Sequence, residues 1–261
     1  LIGQDYRKQE FIPGLSKLPD NYYREARRGE REQSDNLAGL QLPDGKNLFT
    51  QPLSADLLII NTVKNSPDKV TLLTLGPLTN LAEAILRDDS FLESIEQTYV
   101  MGGALDVLGN VGFSGVDIDN QVAEWNIFID PLAARIVLAS GAPVTLVPLD
   151  ATNQVPVTLE FYFKLQANRR TPEADFVYDV LSSLLGEIGT GYSSFWDPLT
   201  ASLLVDESLG YIKQGHIWVS TDPGTTSGLT RLLSSGFPAR YAKSADASRF
   251  EYEFLRTLNQ P

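Results

Sequence analysis

Apolar positions recur at helical spacing over residues 55–65 (ADLLIINTVKN), with Ser54 placed to cap the first turn and Asn65-Ser66-Pro67-Asp68 to stop the last. Residues 70–75 (VTLLTL) form a short β-rich run that reads as a buried strand. Gly76-Pro77-Leu78 makes the turn and a helix begins at Thr79. Strand, tight turn and helix in that order are the unit of a parallel α/β sheet. The unit repeats: a helix end and strand over 91–101, a helix over 130–140 opened by Asp130-Pro131 and ended by Gly141, and a strand over 144–149.

Past Asp150 the pattern changes. Residues 157–191 read as helices with a polar break at 168–172, and residues 195–206 as one more, opening Trp196-Asp197-Pro198. A strand over 211–221, a turn at Asp222-Pro223-Gly224 and an amphipathic helical tail over 245–259 complete the chain. Residues 4–53 have little periodicity and many charges. Long irregular segments in a compact domain are commonly functional or disordered, and a substrate lid or a plain surface loop fits here equally. No repeat or linker divides residues 1–261, which read as one α/β domain with a mostly parallel, Rossmann-like sheet flanked by helices. Leu1-Ile2-Gly3 has the pattern of a strand's tail, so the N-terminal strand or strands of the sheet are expected to be missing.

Composition narrows the function. The 261 residues suffice for a substantial core. A net charge of −12 argues against nucleic acid, whose phosphates need a basic surface. The absence of Cys removes disulfides and thiolate metal sites. No apolar run approaches the roughly 20 residues that span a bilayer, so no membrane partner is expected. A cytoplasmic location is favoured, with a leader removed before Leu1 left open.

Polar residues crowd the stretch from 99 to 150, where a strand should end, and ligands of open parallel sheets sit just past such ends. Met101, Asn110, Glu124 and Asn126 are the candidates there. Glu124 and Asn126 lie two apart, which in extended backbone puts both side chains on one side. A strong acceptor beside an amide suits a diol such as ribose. The plainer reading has them capping the helix that starts near Asp130. Met101 is the only methionine, and lone methionines mostly fill cores. Asp197 has the position of a helix N-cap. Trp196 reads equally as a core residue, Trp125 as packing, and His216, in GHIWVS, as structural. Asp130 and Asp150 read as a cap and a loop-ordering group.

Residues 72–80 (LLTLGPLTN), 100–110 (VMGGALDVLGN), 123–134 (AEWNIFIDPLAA) and 195–199 (FWDPL) together resemble the inosine–uridine-preferring nucleoside hydrolase family, in the family's order and near its spacing. The resemblance implies hydrolysis of the N-glycosidic bond of ribonucleosides by a calcium-bound water. It implies that Asn110, Glu124 and Asn126 hold the ribose hydroxyls and the 5′ end, with Met101 beneath the sugar. It makes Asp197 and the Leu75 carbonyl calcium (Ca2+) ligands. Trp196 stands where other members carry His, which points to stacking on a purine. Tyr22 or Tyr23, before Arg24, matches the family's aromatic lid over the base, and Tyr23 is taken as the candidate. A small-molecule nucleoside is then the partner, and a homo-oligomer the expected assembly.

The family's opening motif, DxDxxxDD, holds the calcium and the attacking water. It does not occur here, so the metal site is incomplete and the general base has no residue in this chain. The rival expectation is a truncated relative that binds nucleoside or ribose without hydrolysing it, or serves as an interaction protein. A dinucleotide-binding domain is disfavoured, since no GxGxxG follows a strand.

Overall fold

A computed structural model describes residues 53–112, 119–188 and 190–260. The lid expected over residues 4–53, with Tyr22 and Tyr23, lies outside them but for residue 53. Among the described residues six strands form one sheet in the order β1-β2-β3-β6-β4-β5. They are β1 (Val70–Thr74), β2 (Ile95–Met101), β3 (Val144–Val147), β4 (Gly210–Val219), β5 (Thr230–Leu232) and β6 (Phe237–Ala245). β1, β2, β3 and β6 run parallel, while β4 is antiparallel to both β6 and β5. β1 is one edge of this sheet.

The helices cover both faces. α1 (Ala55–Lys64), α2 (Thr79–Arg87), α3 (Trp125–Ile129) and α4 (Pro131–Ala139) precede β3. α5 (Leu149–Thr152), α6 (Leu159–Asn168), α7 (Pro172–Ser183), α8 (Leu185–Ile188), α9 (Trp196–Val205) and α10 (Ala247–Leu258) follow it. Strand alternation sorts the core into two layers. Val100, Val144 and Leu146 pack with Ile60, Leu81 and Val137 of α1, α2 and α4. Tyr99 and Val147 point the other way, onto Phe161, Leu199, Leu203 and Phe250. Each such side chain, fully buried, stabilises by about 1.5–3 kcal/mol, and so the sheet is held between two apolar slabs.

Local differences from the sequence reading have local causes. Ser54 occupies the N-cap position of α1 without a side-chain capping bond, whereas Asp130 caps α4 by accepting from the Ala133 N–H. The third strand stops at Val147 because the Leu149 N–H turns to the Gly103 carbonyl and α5 begins. β5 and β6 were not expected. In β6, Pro238, Arg240 and Lys243 interrupt the apolar run. Pro238 is tolerated because β6 pairs with β3 only at Arg240 and Tyr241, leaving no ladder bond for Pro238 to supply on that side.

Candidate active site

The site begins where β1 and β2 end. Met101 is the last residue of β2, and Leu75 follows β1 by one residue. Met101 is buried and packs with Ala104, Leu149 and Trp196, giving an apolar floor with an indole at its side. The chain then loops out and returns at residues 120–124. The return is tied to the outgoing strand by backbone bonds from Gly109 to Gln121 and from Asn110 to Ala123. The two backbones lie so close that a Cβ on Gly109 would stand 2.0 Å from the Ala123 carbonyl oxygen, so only glycine fits.

Glu124 is the N-cap of α3 and is buried. Its Oε1 accepts from the Asn126 N–H at 2.9 Å, and its Oε2 from the N–H groups of Ile127 and Gly103, each at 3.1 Å. Burial pushes the carboxyl up to about 7, against the pull of those three donors, and the nearby Asp197 charge adds to the rise. Asn126 sits in the first turn of α3, not in extended backbone. It meets Glu124 because the cap and first turn fold back on each other, which corrects the strand-like geometry expected from their spacing. The helix that Glu124 caps is α3, one element before the helix at Asp130.

The Asn126 amide reaches back across the strand ends. Its Nδ2 lies 3.2 Å from the Met101 carbonyl, 3.3 Å from the Met101 sulfur and 3.5 Å from the Leu75 carbonyl. Asn110 comes in from the side, its Oδ1 accepting from the Trp125 N–H at 2.8 Å. Trp125 itself packs beside Phe128, as a structural residue.

α9 supplies the remaining wall. The N-cap position belongs to Phe195, which makes no side-chain cap, so Asp197 is inside the first turn and not the cap expected. Burial raises its carboxyl to about 6, and no described residue gives it a hydrogen bond or an ion pair. Trp196 is half-buried, and its indole N–H is buried with no described acceptor. Thus Leu75, Met101, Asn110, Glu124, Asn126, Trp196 and Asp197 converge, while Tyr23 lies outside the described residues.

Asp197 and the Leu75 carbonyl are hard oxygen donors of the kind calcium takes. Calcium needs about 6–8 such oxygens. Among the described residues no group of three or more His, Cys, Asp or Glu could hold a metal. These residues alone therefore do not make a calcium site. Asn120 is a residue that sequence reasoning passed over. Its amide donates to the Ser227 carbonyl at 2.8 Å and accepts from the N–H groups of Val122 and Ala123 at 3.1 and 3.0 Å, shaping the approach to Glu124. An Asn whose side-chain oxygen accepts from the N–H groups two and three residues on is a recognisable turn signal.

A mixed sheet whose parallel strand ends carry a buried carboxyl, an amide and an apolar floor defines an α/β small-molecule site. A sequence profile of the inosine-uridine preferring nucleoside hydrolases matches residues 10–252, and the chain belongs to that family. It is 34% identical over 207 residues to a probable uridine nucleosidase of Oryza sativa subsp. japonica, covering 78% of this chain and 60% of the relative. It is 32% identical over 213 residues to a pyrimidine-specific ribonucleoside hydrolase of Shewanella woodyi, covering 80% and 65%. A plant nucleoside hydrolase structure superposes with a TM-score of 0.76 at 28% identity, covering 87% of this chain and 73% of that one. A purine-preferring ribonucleoside hydrolase from Gardnerella vaginalis gives a TM-score of 0.73 at 27% identity, covering 86% and 71%. The chain spans about six-tenths of the length of the first curated relatives it matches. Among the described residues no helix is long and apolar enough to cross a membrane.

Proposed function

We propose that the protein acts on the N-glycosidic bond of ribonucleosides, releasing base and ribose, with a lean toward purines. The observation that carries this reading is the meeting of Glu124 and Asn126 over the Met101 floor, with the Asp197 charge nearby, in a chain of the nucleoside hydrolase family. The reaction passes through an oxocarbenium-like sugar, so the protein must orient the ribose and ease the departure of the base. Glu124, its carboxyl pushed up to about 7 by burial, can accept from one sugar hydroxyl or donate to an oxygen. The Asn126 Oδ1 accepts no hydrogen bond from the described residues and is available to a second hydroxyl. Asn110 stands beside them for the 5′ end.

Trp196, packed on Met101, offers a flat face for the base next to the sugar floor. That supports stacking on a purine, while the names of the relatives span uridine, pyrimidine and purine nucleosides. Tyr23 is proposed to cover the base from above. Asp197 and the Leu75 carbonyl would hold a calcium ion together with ligands from outside the described residues. Such an ion, when bound, supplies a water of lowered pKa. The general base is assigned to no residue here.

A second reading, a nucleoside or ribose binder without turnover, is favoured by one observation: the described residues contain no cluster of three metal-binding side chains. Incubation with inosine and with uridine, in calcium and in EDTA, separates the two when base release and D-ribose binding are both followed. Base release in calcium, lost in EDTA and faster with inosine, is the expected result. Binding without release moves the protein to the second reading. Neither binding nor release overturns both.

A further inference from the structure

Past β2, four consecutive backbone amides donate to side-chain oxygens and not to carbonyls. The Gly103 N–H goes to Glu124 at 3.1 Å and the Ala104 N–H to Thr230 Oγ1 at 2.8 Å. The N–H groups of Leu105 and Asp106 go to the two Asp150 oxygens at 2.8 and 2.9 Å. The three acceptors come from the cap of α3, the start of β5 and α5. Asp150 is the loop-ordering group its position suggested, and Thr230 had no signal in the sequence.

Thr230 does more than accept. Its hydroxyl also donates to the Ala104 carbonyl at 2.9 Å, so one buried side chain satisfies both polar groups of one loop residue. The same end of the β4–β5 connection holds the opposite wall of the site. The Ser227 carbonyl takes the Asn120 amide, and Leu229 bridges to Ala123. Residues 227–230 thus grip both the outgoing segment at Ala104 and the returning segment at 120–123. Glu124 lies between them, bonded to Gly103 on one side and following Ala123 on the other. Gly103 has little room to adjust: at φ +90°, its Cβ position is 3.0 Å from Leu146 and 3.3 Å from Thr230 Oγ1.

We infer that Thr230 is a positioning residue for the sugar site, its hydroxyl fixing the Gly103 N–H against Glu124 and setting the separation of the two loop walls. The inference rests on the reading of Glu124 and Asn126 as the sugar clamp. Without the hydroxyl, the buried N–H and C=O of Ala104 lose their shared partner, and the loop moves to find others. The carboxyl shared between Gly103 and α3 moves with it.

Thr230→Val keeps the branched shape and removes the hydroxyl, whereas Thr230→Ser keeps the hydroxyl. In the whole chain, D-ribose affinity by calorimetry and amide hydrogen exchange by peptide are measured for both. Thr230→Val should weaken D-ribose binding by about tenfold, the loss expected when one buried hydrogen-bonded group is removed. Exchange should quicken over 103–106 and spread to 120–127, while α10 stays as protected as in the parent. Thr230→Ser should stay within about twofold of the parent in affinity. A Thr230 that only stabilises the fold would lower the melting temperature with ribose affinity unchanged in the folded protein. That result, or quickened exchange that stops short of 120–127, overturns the inference. A parent chain that binds no D-ribose overturns the sugar-clamp reading itself, and is told apart because it needs no variant.

Discussion

Replacing Glu124 by Ala should cost stability in a way that depends on pH, and the structure sets both the size and the sign. Three buried N–H groups, of Gly103, Asn126 and Ile127, lose their acceptor. At a net value of about 1 kcal/mol each, this is a loss of about 3 kcal/mol, of which the helix cap is part. Opposing it is the burial of the carboxylate, which lifts the group from its ordinary 4.5 to about 7 in the folded protein. The folded state therefore holds the proton more tightly than the unfolded state. This stabilisation is complete below about pH 4.5 and is lost as pH rises through about 7, an overall change of about 3 kcal/mol. Glu124→Ala should be markedly destabilised near pH 5 and much closer to the parent near pH 8. Urea unfolding at the two pH values, in EDTA so that no cation neutralises the carboxylates, measures both. Parallel stability–pH curves for parent and variant would refute the reasoning, because they would mean that Glu124 titrates alike in the folded and unfolded chains.

Asn126→Ala should lower kcat/KM for inosine by about a hundredfold in protein that turns over, since it removes an amide held over the strand ends by Met101 and Leu75; near-normal turnover would take Asn126 out of the site. Asp197→Asn should raise the melting temperature in EDTA at pH 8, because it removes a partly buried charge with no described partner, and should abolish any stabilisation by added calcium. A variant that still responds to calcium as the parent does would mean that the ion binds elsewhere. Trp196→Ala should reduce inosine turnover more than uridine turnover if the indole stacks on a purine, and steady-state kinetics with an equal loss for both substrates would remove that role.

Much of the fold was legible because it is written in short-range signals. The strand-turn-helix unit over 70–87 needs only a β-rich run, a Gly-Pro turn and helical spacing, and the structure has β1 and α2 there. The Asp130-Pro131 start of α4 is equally local, since its cap bond spans three residues. β6 was not legible, because Pro238 and its charged neighbours break the pattern and its place in the sheet depends on β3 and β4 accepting it. The candidate residues were named by motif, but their geometry was not: Glu124 and Asn126 meet through a helix cap, not along a strand. The lid expected over residues 4–53, with Tyr23, lies outside the described residues but for residue 53.

By itself, then, the order of residues determined the α/β rhythm and the strand ends where a site belongs, which follow from periodicity and turn chemistry over a few residues, while its motifs named the side chains offered there. Only the tertiary structure decided that Glu124 is a buried acid with its carboxyl pushed up to about 7, that the Asp197 charge lies near it without a described partner, and that Thr230 grips Ala104. Those properties depend on burial and on contacts between distant segments, the last spanning 126 positions of chain. Desolvation and long-range hydrogen bonding exist only once the layers have packed, and no local pattern encodes them.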